Sequence, residues 1–213
     1  MKLTSYTVNP FQENTYVMAR DGKAILFDPG FFNSTEVNLL VQTLKEWDAT
    51  LIAIVLTHAH TDHVLGLTRV LDRYEVPVYL NHEDLYLWEN FVVSSAMFGL
   101  EVKPFDFTPI DLQAQKDWKQ GPFTFDVLFT PGHAPGHLSF YDKEQKILIA
   151  GDTLFQNSIG RTDLYKGDFD TLKKSIRENI YTLPDETRVL PGHGPETTVG
   201  YEKKNNQFVK EVK

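Results

Sequence analysis

The residues with the clearest chemical purpose stand together in the segment THAHTDH, which follows an apolar run typical of a buried strand. Its candidate metal ligands are His58, His60, Asp62 and His63. With 7 histidines in 213 residues, chance places such an H-x-H-x-D-H pattern in about one chain in a thousand. Neutral imidazoles and carboxylates are ligands for zinc, iron and manganese. Four ligands this close together crowd a single tetrahedral ion, so the motif favours two metals.

Three further candidate ligands follow predicted strands and stand beside glycine. They are His133 in TPGHAPGH, Asp152 in AGDT and His193 in LPGHG. Glycine permits tight turns and close backbone approach, and functional sites are often built where strands of a rigid scaffold end. Any one of these residues alone is better explained as a turn residue. Four strand-end segments of the same kind, the first motif included, favour a metal centre over ordinary turns by roughly twenty to one.

Three polar residues near these motifs have other interpretations. Asp28, before Pro29-Gly30, either orients a ligand histidine through a hydrogen bond, as metal sites commonly require, or is a turn aspartate. His137 fits a supporting role better than that of an eighth ligand. His82, in NHED, is predicted to be a polar residue at the start of a helix.

Hydrophobic periodicity predicts the elements that must position these residues. Short runs bounded by turn residues predict strands at 3–8, 15–19, 24–27, 51–56, 76–80, 123–129, 138–141, 147–150 and 187–190. Helical spacing predicts a helix around Val37 to Leu44 with Ser34 as its N-cap, and another over 168–181. The less regular stretch 81–120 is expected to hold helices and loops. The chain is therefore predicted to be one domain, residues 1–213, with two β-rich halves and outer helices.

Taken in order, these segments resemble the metallo-β-lactamase superfamily. The shared patterns are T-H-x-H-x-D-H, G-H-x-P-G-H, G-D-T-L-F and P-G-H-G, and they extend from Asp28 to His193. The resemblance implies an α+β fold, a four-layer αββα sandwich with the metals at one edge between the sheets. It also implies ligand sets: His58, His60 and His133 for the first metal, Asp62, His63 and His193 for the second, and Asp152 as the bridge.

Within the superfamily, the segments GDTLF and GRTD are similar to those of the glyoxalase II group, the hydroxyacylglutathione hydrolases. This similarity suggests Arg161 as a substrate-binding anchor for the glutathione carboxylate, since guanidinium offers paired donors in one plane. The alternative is a structural arginine paired with Asp163. Glyoxalase II proper has a further C-terminal helical region that helps to hold glutathione, whereas this sequence ends at Lys213. The thiol carrier is therefore left open.

The implied chemistry is hydrolysis of an ester or thioester by a water that two divalent metals activate. Zinc is the expected metal, with iron and manganese as alternatives. Asp152 and Asp62 are the expected catalytic carboxylates, Asp152 by fixing the metal spacing and Asp62 by accepting a proton. A thiolate leaving group needs little protonation, which agrees with the absence of an extra acid from the motifs.

An alternative of the same fold is an iron-dependent dioxygenase acting on glutathione persulfide. That group has a similar GRTD segment and uses one iron. The ligand residues do not separate the two activities, although the GHAPGH segment, with His137, favours the hydrolase. A non-enzymatic binding protein is disfavoured by the complete set of seven candidate ligands.

Composition restricts the remaining classes of function. The net charge is −8, and the longest basic run is Lys203-Lys204, so no basic footprint for nucleic acid is present. The absence of cysteine excludes disulfides, thiolate metal sites and cysteine nucleophiles. No run is long and apolar enough to cross a membrane, and the first residues predict a strand instead of a signal peptide. We therefore expect a cytoplasmic protein, not an exported β-lactamase, that acts on a small thioester or ester; the oligomeric state is left open.

Overall fold

The computed structural model describes residues 1–210. These residues divide into two compact units: unit 1 comprises residues 1–112 and 120–123, and unit 2 comprises residues 113–119 and those from 124 onward. Each unit contains a six-stranded mixed sheet within the described residues. The assignment of residues 1–213 to a single domain stays a prediction.

The sheet of unit 1 follows the order of the chain. Its strands are β1 (Lys2–Val8), β2 (Glu13–Arg20), β3 (Lys23–Phe27), β4 (Thr50–Val55), β5 (Val78–Leu80) and β6 (Ile110–Asp111). The first three are antiparallel neighbours, and β3 to β6 are parallel. Parallel strands end at the same edge of a sheet, which is where α/β proteins place their ligands. The residues after Phe27 and after Val55 therefore meet at one edge.

Short helices connect these strands. They are α1 (Ser34–Trp47), α2 (Thr61–Val64), α3 (Leu67–Leu71), α4 (Leu85–Glu89) and α5 (Phe91–Ala96), with a 3₁₀ turn at His82–Asp84. The face of α1 that the periodicity predicts is buried, including Val37, Leu40 and Leu44. The N-cap is Asn33, however, and not the predicted Ser34. Asn33 has an extended backbone, and its side chain accepts hydrogen bonds from the amides of the first helical turn.

The sheet of unit 2 has the order β14-β13-β10-β9-β8-β7. Its strands are β7 (Gln115–Gln120), β8 (Phe123–Phe129), β9 (Leu138–Asp142), β10 (Ile147–Gly151), β13 (Arg188–Pro191) and β14 (Thr197–Thr198). Strand β10 is parallel to β13 and antiparallel to β9, which is antiparallel to β8. Strands β8, β10 and β13 consequently run in one direction and end at one edge. A small hairpin, β11 (Leu154–Phe155) with β12 (Ser158–Ile159), lies between β10 and the next helix.

Two helices complete unit 2. Helix α6 (Phe169–Ser175) continues into a π-helical turn, Ile176–Ile180, which agrees with the helix predicted over 168–181, and α7 spans Val199–Asn205. Leu172, Ile176 and Ile180 are fully buried in an apolar cluster that includes Leu148 of β10. Burial of such side chains stabilises a fold by about 1.5–3 kcal/mol each. None of the helices in residues 1–210 is long and apolar enough to cross a membrane.

The identity of the α1 N-cap can be tested with two substitutions. Asn33→Ala is expected to lower the free energy of unfolding by about 1 kcal/mol, because two amides of the first turn lose their acceptor. Ser34→Ala is expected to change it by less, since Ser34 already lies inside the helix. Urea denaturation of both variants measures the difference. A larger loss for Ser34→Ala would contradict the assignment.

Candidate metal centre

The four candidate ligands of unit 1 lie in the loop after β4 and in the first turn of α2. His58 and His63 are fully buried, whereas His60 and Asp62 are partly exposed. The ring centroid of His58 lies 4.7 Å from that of His60 and 4.1 Å from that of His63. The Nε2 atom of His63 is 3.8 Å from Oδ2 of Asp62. The motif therefore folds into one compact cluster.

Asp28 is the buried acceptor behind this cluster. It follows β3 and has a left-handed backbone, φ 47°, which aspartate tolerates better than most residues. Its Oδ1 accepts the backbone N–H of Thr57 at 2.7 Å. Its Oδ2 accepts the Thr57 hydroxyl at 2.7 Å and lies 3.0 Å from Nδ1 of His63. Of the two interpretations of Asp28, the structure supports the one in which its carboxylate orients a candidate ligand histidine, His63.

The Asp28 carboxylate also determines which ring nitrogens carry protons. Nδ1 of His63 must donate to it, which leaves Nε2 of His63 with a lone pair for a metal. The Thr57 hydroxyl gives its proton to Asp28, so it accepts from Nδ1 of His58, 3.0 Å away. His58 therefore also presents Nε2. One carboxylate thus sets the tautomers of two histidines.

A second buried acid, Glu13, lies beside Asp28. Its Oε2 accepts the Thr15 hydroxyl at 2.9 Å, and its Oε1 is 3.9 Å from Nδ1 of His63. Burial holds the pKa of Glu13 well above its usual value, and the negative charge of Asp28 raises it further. One possible metal-ligating atom from each of Glu13, Asp28 and His63 lies within 4.8 Å of the other two. Because Asp28 already accepts from Thr57 and His63, this group supports His63 and is poorly suited to hold a metal itself.

Two more residues hold the backbone of the motif. The Asn9 side chain donates to the carbonyl of Asp62 at 3.0 Å. Buried Asp84 accepts the N–H of Ala59 at 3.1 Å. Sequence analysis missed Asn9, Glu13 and Asp84, because they lie far from the motif in the chain and have no spacing that links them to it. His82 begins a 3₁₀ turn and contacts the carbonyl of Pro109, as expected for a polar residue at a helix start.

The three candidate ligands of unit 2 follow β8, β10 and β13, at the edge where these strands end. Oδ2 of Asp152 lies 3.4 Å from Nε2 of His133 and 3.6 Å from Nε2 of His193. Charged hydrogen bonds between nitrogen and carboxylate are shorter, at about 2.7–2.9 Å. Two ligands of one tetrahedral zinc, with bonds of 2.0–2.1 Å, are separated by about 3.4 Å. Each of the two distances therefore fits a pair of ligands that share one metal.

The orientation of His133 comes from an unexpected acceptor. Its Nδ1 lies 2.7 Å from the backbone carbonyl of Arg161. Since a carbonyl can only accept, this nitrogen carries the proton and Nε2 is left for the metal. Sequence analysis singled out Arg161 for its side chain and had no signal for this carbonyl contact.

His137 supports Asp152 and occupies its own Nε2 in doing so. This nitrogen accepts the backbone N–H of Asp152 at 3.0 Å. The other ring nitrogen lies 3.0 Å from the hydroxyl of Thr130. The geometry agrees with the predicted supporting role.

The side chain of Arg161 forms a bidentate pair with Asp163, at 2.7 and 2.8 Å. Both side chains are well exposed, at 60% and 67%. Hydrogen bonds from Arg161 lower the pKa of Asp163 to about 2, so both partners are charged at neutral pH. This is the pairing that the sequence offered as the alternative to a substrate anchor.

Comparison with known proteins identifies the family. The sequence model of the metallo-β-lactamase superfamily matches residues 8–193. The chain belongs to this superfamily. A probable metallo-hydrolase of Bacillus subtilis, YqgX, is 42% identical, and the hydroxyacylglutathione hydrolase GloC of Haemophilus influenzae is 36% identical. Each alignment covers 98% of both chains.

Solved structures agree with this assignment. BLEG-1, a B3 metallo-β-lactamase, has a TM-score of 0.87 and 39% identity over 99% of this chain and 100% of its own. TTHA1623 in a di-iron-bound form has a TM-score of 0.86 and 37% identity over 96% and 99%. ETHE1 from Myxococcus xanthus has a TM-score of 0.78 and 26% identity over 98% and 84%. The predicted α+β metallo-β-lactamase fold is confirmed, and the protein is a metal-dependent hydrolase of this superfamily.

The importance of Asp28 can be tested by Asp28→Asn. The amide cannot accept from Thr57 and His63 as the carboxylate does, so His63 loses its fixed tautomer. Metal affinity is expected to fall about 10- to 100-fold, as is usual for residues that orient metal ligands. Competition with a chromophoric chelator measures this change. Asp21→Asn is the control, since Asp21 is an exposed aspartate with a similar backbone, φ 50°; equal losses would contradict the role of Asp28.

Proposed function

We propose that the protein is a dinuclear hydrolase of thioesters, of the glyoxalase II type. The proposed ligand sets are His58, His60 and His133 for one metal, Asp62, His63 and His193 for the other, and Asp152 as the bridge. The observation that carries the proposal is the fixed direction of the ligand nitrogens. His58, His63 and His133 each commit Nδ1 to an oxygen acceptor and present Nε2.

Two metals are proposed because the ligand set exceeds the needs of one. Unit 1 alone supplies four candidate ligands, and tetrahedral zinc sites take four ligands in total, one of them water in hydrolases. The similarity to TTHA1623, known in a di-iron-bound form, also supports a dinuclear site. Imidazole and carboxylate suit zinc, iron and manganese; we propose zinc as the resident metal.

A thioester substrate is proposed from two observations. GloC, a hydroxyacylglutathione hydrolase, aligns with the chain over 98% of both proteins. Two segments resemble those of the glyoxalase II group: GDTLF, which contains Asp152 and strand β11, and GRTD, which follows strand β12. A thiolate is a good leaving group, so the reaction needs no strong general acid.

Each carboxylate of the site has a proposed part in the reaction. Bound divalent metals supply Lewis acidity that makes water nucleophilic near neutral pH. Asp152 holds one oxygen close to both His133 and His193, which suits a bridging ligand. Asp62 is the more exposed carboxylate, with 18% of its side chain accessible, and it is the proposed proton acceptor. Asp28 and Thr57 keep the ligand protons away from the metal-facing nitrogens.

Metal analysis coupled to hydrolysis assays tests the proposed function. We expect close to two zinc ions per chain after reconstitution, and turnover of an acylglutathione thioester that is lost on chelation. A metal content that stays near one with excess zinc would contradict the dinuclear site. A β-lactam is a comparison substrate because BLEG-1 is 39% identical. Turnover of glutathione persulfide with oxygen consumption and bound iron, without thioester turnover, would favour the dioxygenase.

The role of Arg161 as a carboxylate anchor is tested by kinetics. Arg161→Ala is expected to lower kcat/KM for a glutathione thioester about 10- to 100-fold, the scale of one charged hydrogen bond. A small neutral thioester should lose little. Metal affinity should stay unchanged, since the contact to His133 uses the backbone carbonyl.

Asp163→Asn is the matched control for Arg161→Ala. It weakens the pair that occupies the guanidinium and should preserve or raise kcat/KM for the glutathione thioester. Equal losses for both thioesters in Arg161→Ala would show that Arg161 is structural.

A further inference from the structure

The β11–β12 hairpin of unit 2, together with the residues at its two ends, adjoins all three candidate ligands of that unit. It begins two residues after Asp152, and its Phe155 ring lies 6.1 Å from the ring of His193 in an edge-on arrangement. The residues that leave it, Gly160 and Arg161, carry the carbonyl that accepts from His133. The position of this hairpin therefore affects three ligands together.

Gly160 shows how closely the hairpin fits the ligands. A Cβ atom at this position would overlap the carbonyl oxygen of Asp152 and lie 3.1 Å from Nδ1 of His133. The backbone of residue 160 thus packs directly on the backbone of one ligand and beside the ring of another. A small displacement of the hairpin would be transmitted to both.

The hairpin cannot hold this position by itself. Each of its strands has two residues, and its turn contains Asn157 with a left-handed backbone, φ 58°. Isolated two-stranded hairpins are marginally stable at best in water. Contacts outside the hairpin must therefore fix it.

Leu154 of β11 lies in the buried apolar cluster of unit 2, and Ile159 of β12 packs against that cluster. The turn between the two strands is held by polar contacts from α7 and from the residue that follows it. Glu202 is fully buried, and its Oε2 accepts the N–H of Asn157 at 3.0 Å. Asn206, also fully buried, donates to the carbonyl of Ser158 at 2.9 Å and to Oε2 of Glu202 at 2.9 Å. Thr197 donates to the other oxygen of Glu202 at 2.5 Å. We call Glu202 and Asn206 together the α7 clamp.

We propose that the α7 clamp positions the metal ligands of unit 2 through the β11–β12 hairpin. Glu202 and Asn206 are positioning residues: they bond to Asn157 and Ser158 at the turn of the hairpin, and the two hairpin strands lead from this turn to Asp152 and to Arg161. This inference rests on the proposed ligand role of His133, Asp152 and His193. Nothing in the metal motifs of the sequence indicates it.

The test compares Glu202→Ala with Glu202→Gln. The alanine variant leaves the Asn157 amide without its acceptor, and zinc affinity is expected to fall about tenfold or more, toward the range seen for residues that support ligands. Glutamine can still accept from Asn157 and Asn206 while donating to the Thr197 hydroxyl, so its affinity should stay within a few-fold of the original. Chelator competition with zinc measures both.

Asp142→Ala controls for a general loss of stability. Asp142 is buried, at 1% exposure, and pairs with Ile147 at the start of β10, at the opposite end from Asp152. A zinc affinity of Glu202→Ala no lower than that of Asp142→Ala would overturn the proposal. If Glu202→Ala does not fold, Asn206→Ala takes its place, since it removes the bond to Ser158.

Amide hydrogen exchange of the metal-free protein separates this inference from the proposed function. Asn157 and Gly160 are expected to exchange at least tenfold faster in Glu202→Ala than in Asp142→Ala, because the turn has lost its anchor. Unchanged amide exchange at Asn157 and Gly160 would show that the α7 clamp does not hold the hairpin. A protein that binds no metal yet shows faster exchange would contradict the proposed metal site and leave the clamp in place.

Discussion

The candidate metal centre depends on one requirement, that His58, His63 and His133 each commit a ring proton to an oxygen acceptor. A neutral imidazole binds a metal only through the nitrogen that lacks a proton, and its other nitrogen decides which one that is. Three histidines meet this requirement at Nδ1, with three kinds of acceptor: a hydroxyl for His58, a carboxylate for His63 and a backbone carbonyl for His133. A rotated or oppositely protonated ring would direct an N–H at a cation.

Parallel strand pairs place residues of the candidate metal centre in both units. In unit 1, β3 and β4 are parallel, so Asp28 after the first reaches Thr57 and His63 after the second. In unit 2, β10 and β13 are parallel, and Asp152 and His193 follow their ends. In unit 1 the parallel pair thus brings a candidate ligand, His63, to the residue that orients it, Asp28. In unit 2 the parallel pair brings two candidate ligands, Asp152 and His193, together.

The histidines and aspartates that the sequence singles out lie in clusters in the structure, because candidate ligands are recognised by residue type and strands by periodicity. The sequence offers supporting roles for Asp28 and His137 but misses other contacts, for physical reasons. Asn9 lies in the turn after β1 and Glu13 at the start of β2, so no local spacing connects them to the motif. The acceptor of His133 is a carbonyl, which every residue possesses. Asn33 and Ser34 are both residue types that favour N-cap positions, so residue type does not distinguish them. The backbone does: it is extended at Asn33 and helical from Ser34, which makes Asn33 the N-cap of α1.

In the GRTD segment, the backbone and the side chain of Arg161 make separate contacts. Gly160 contributes by lacking a side chain, and Arg161 contributes its carbonyl to His133. The guanidinium of Arg161 extends to the exposed Asp163 and has no part in that support. The side chain of residue 161 can therefore be replaced without disturbing His133, provided that the backbone carbonyl stays in place.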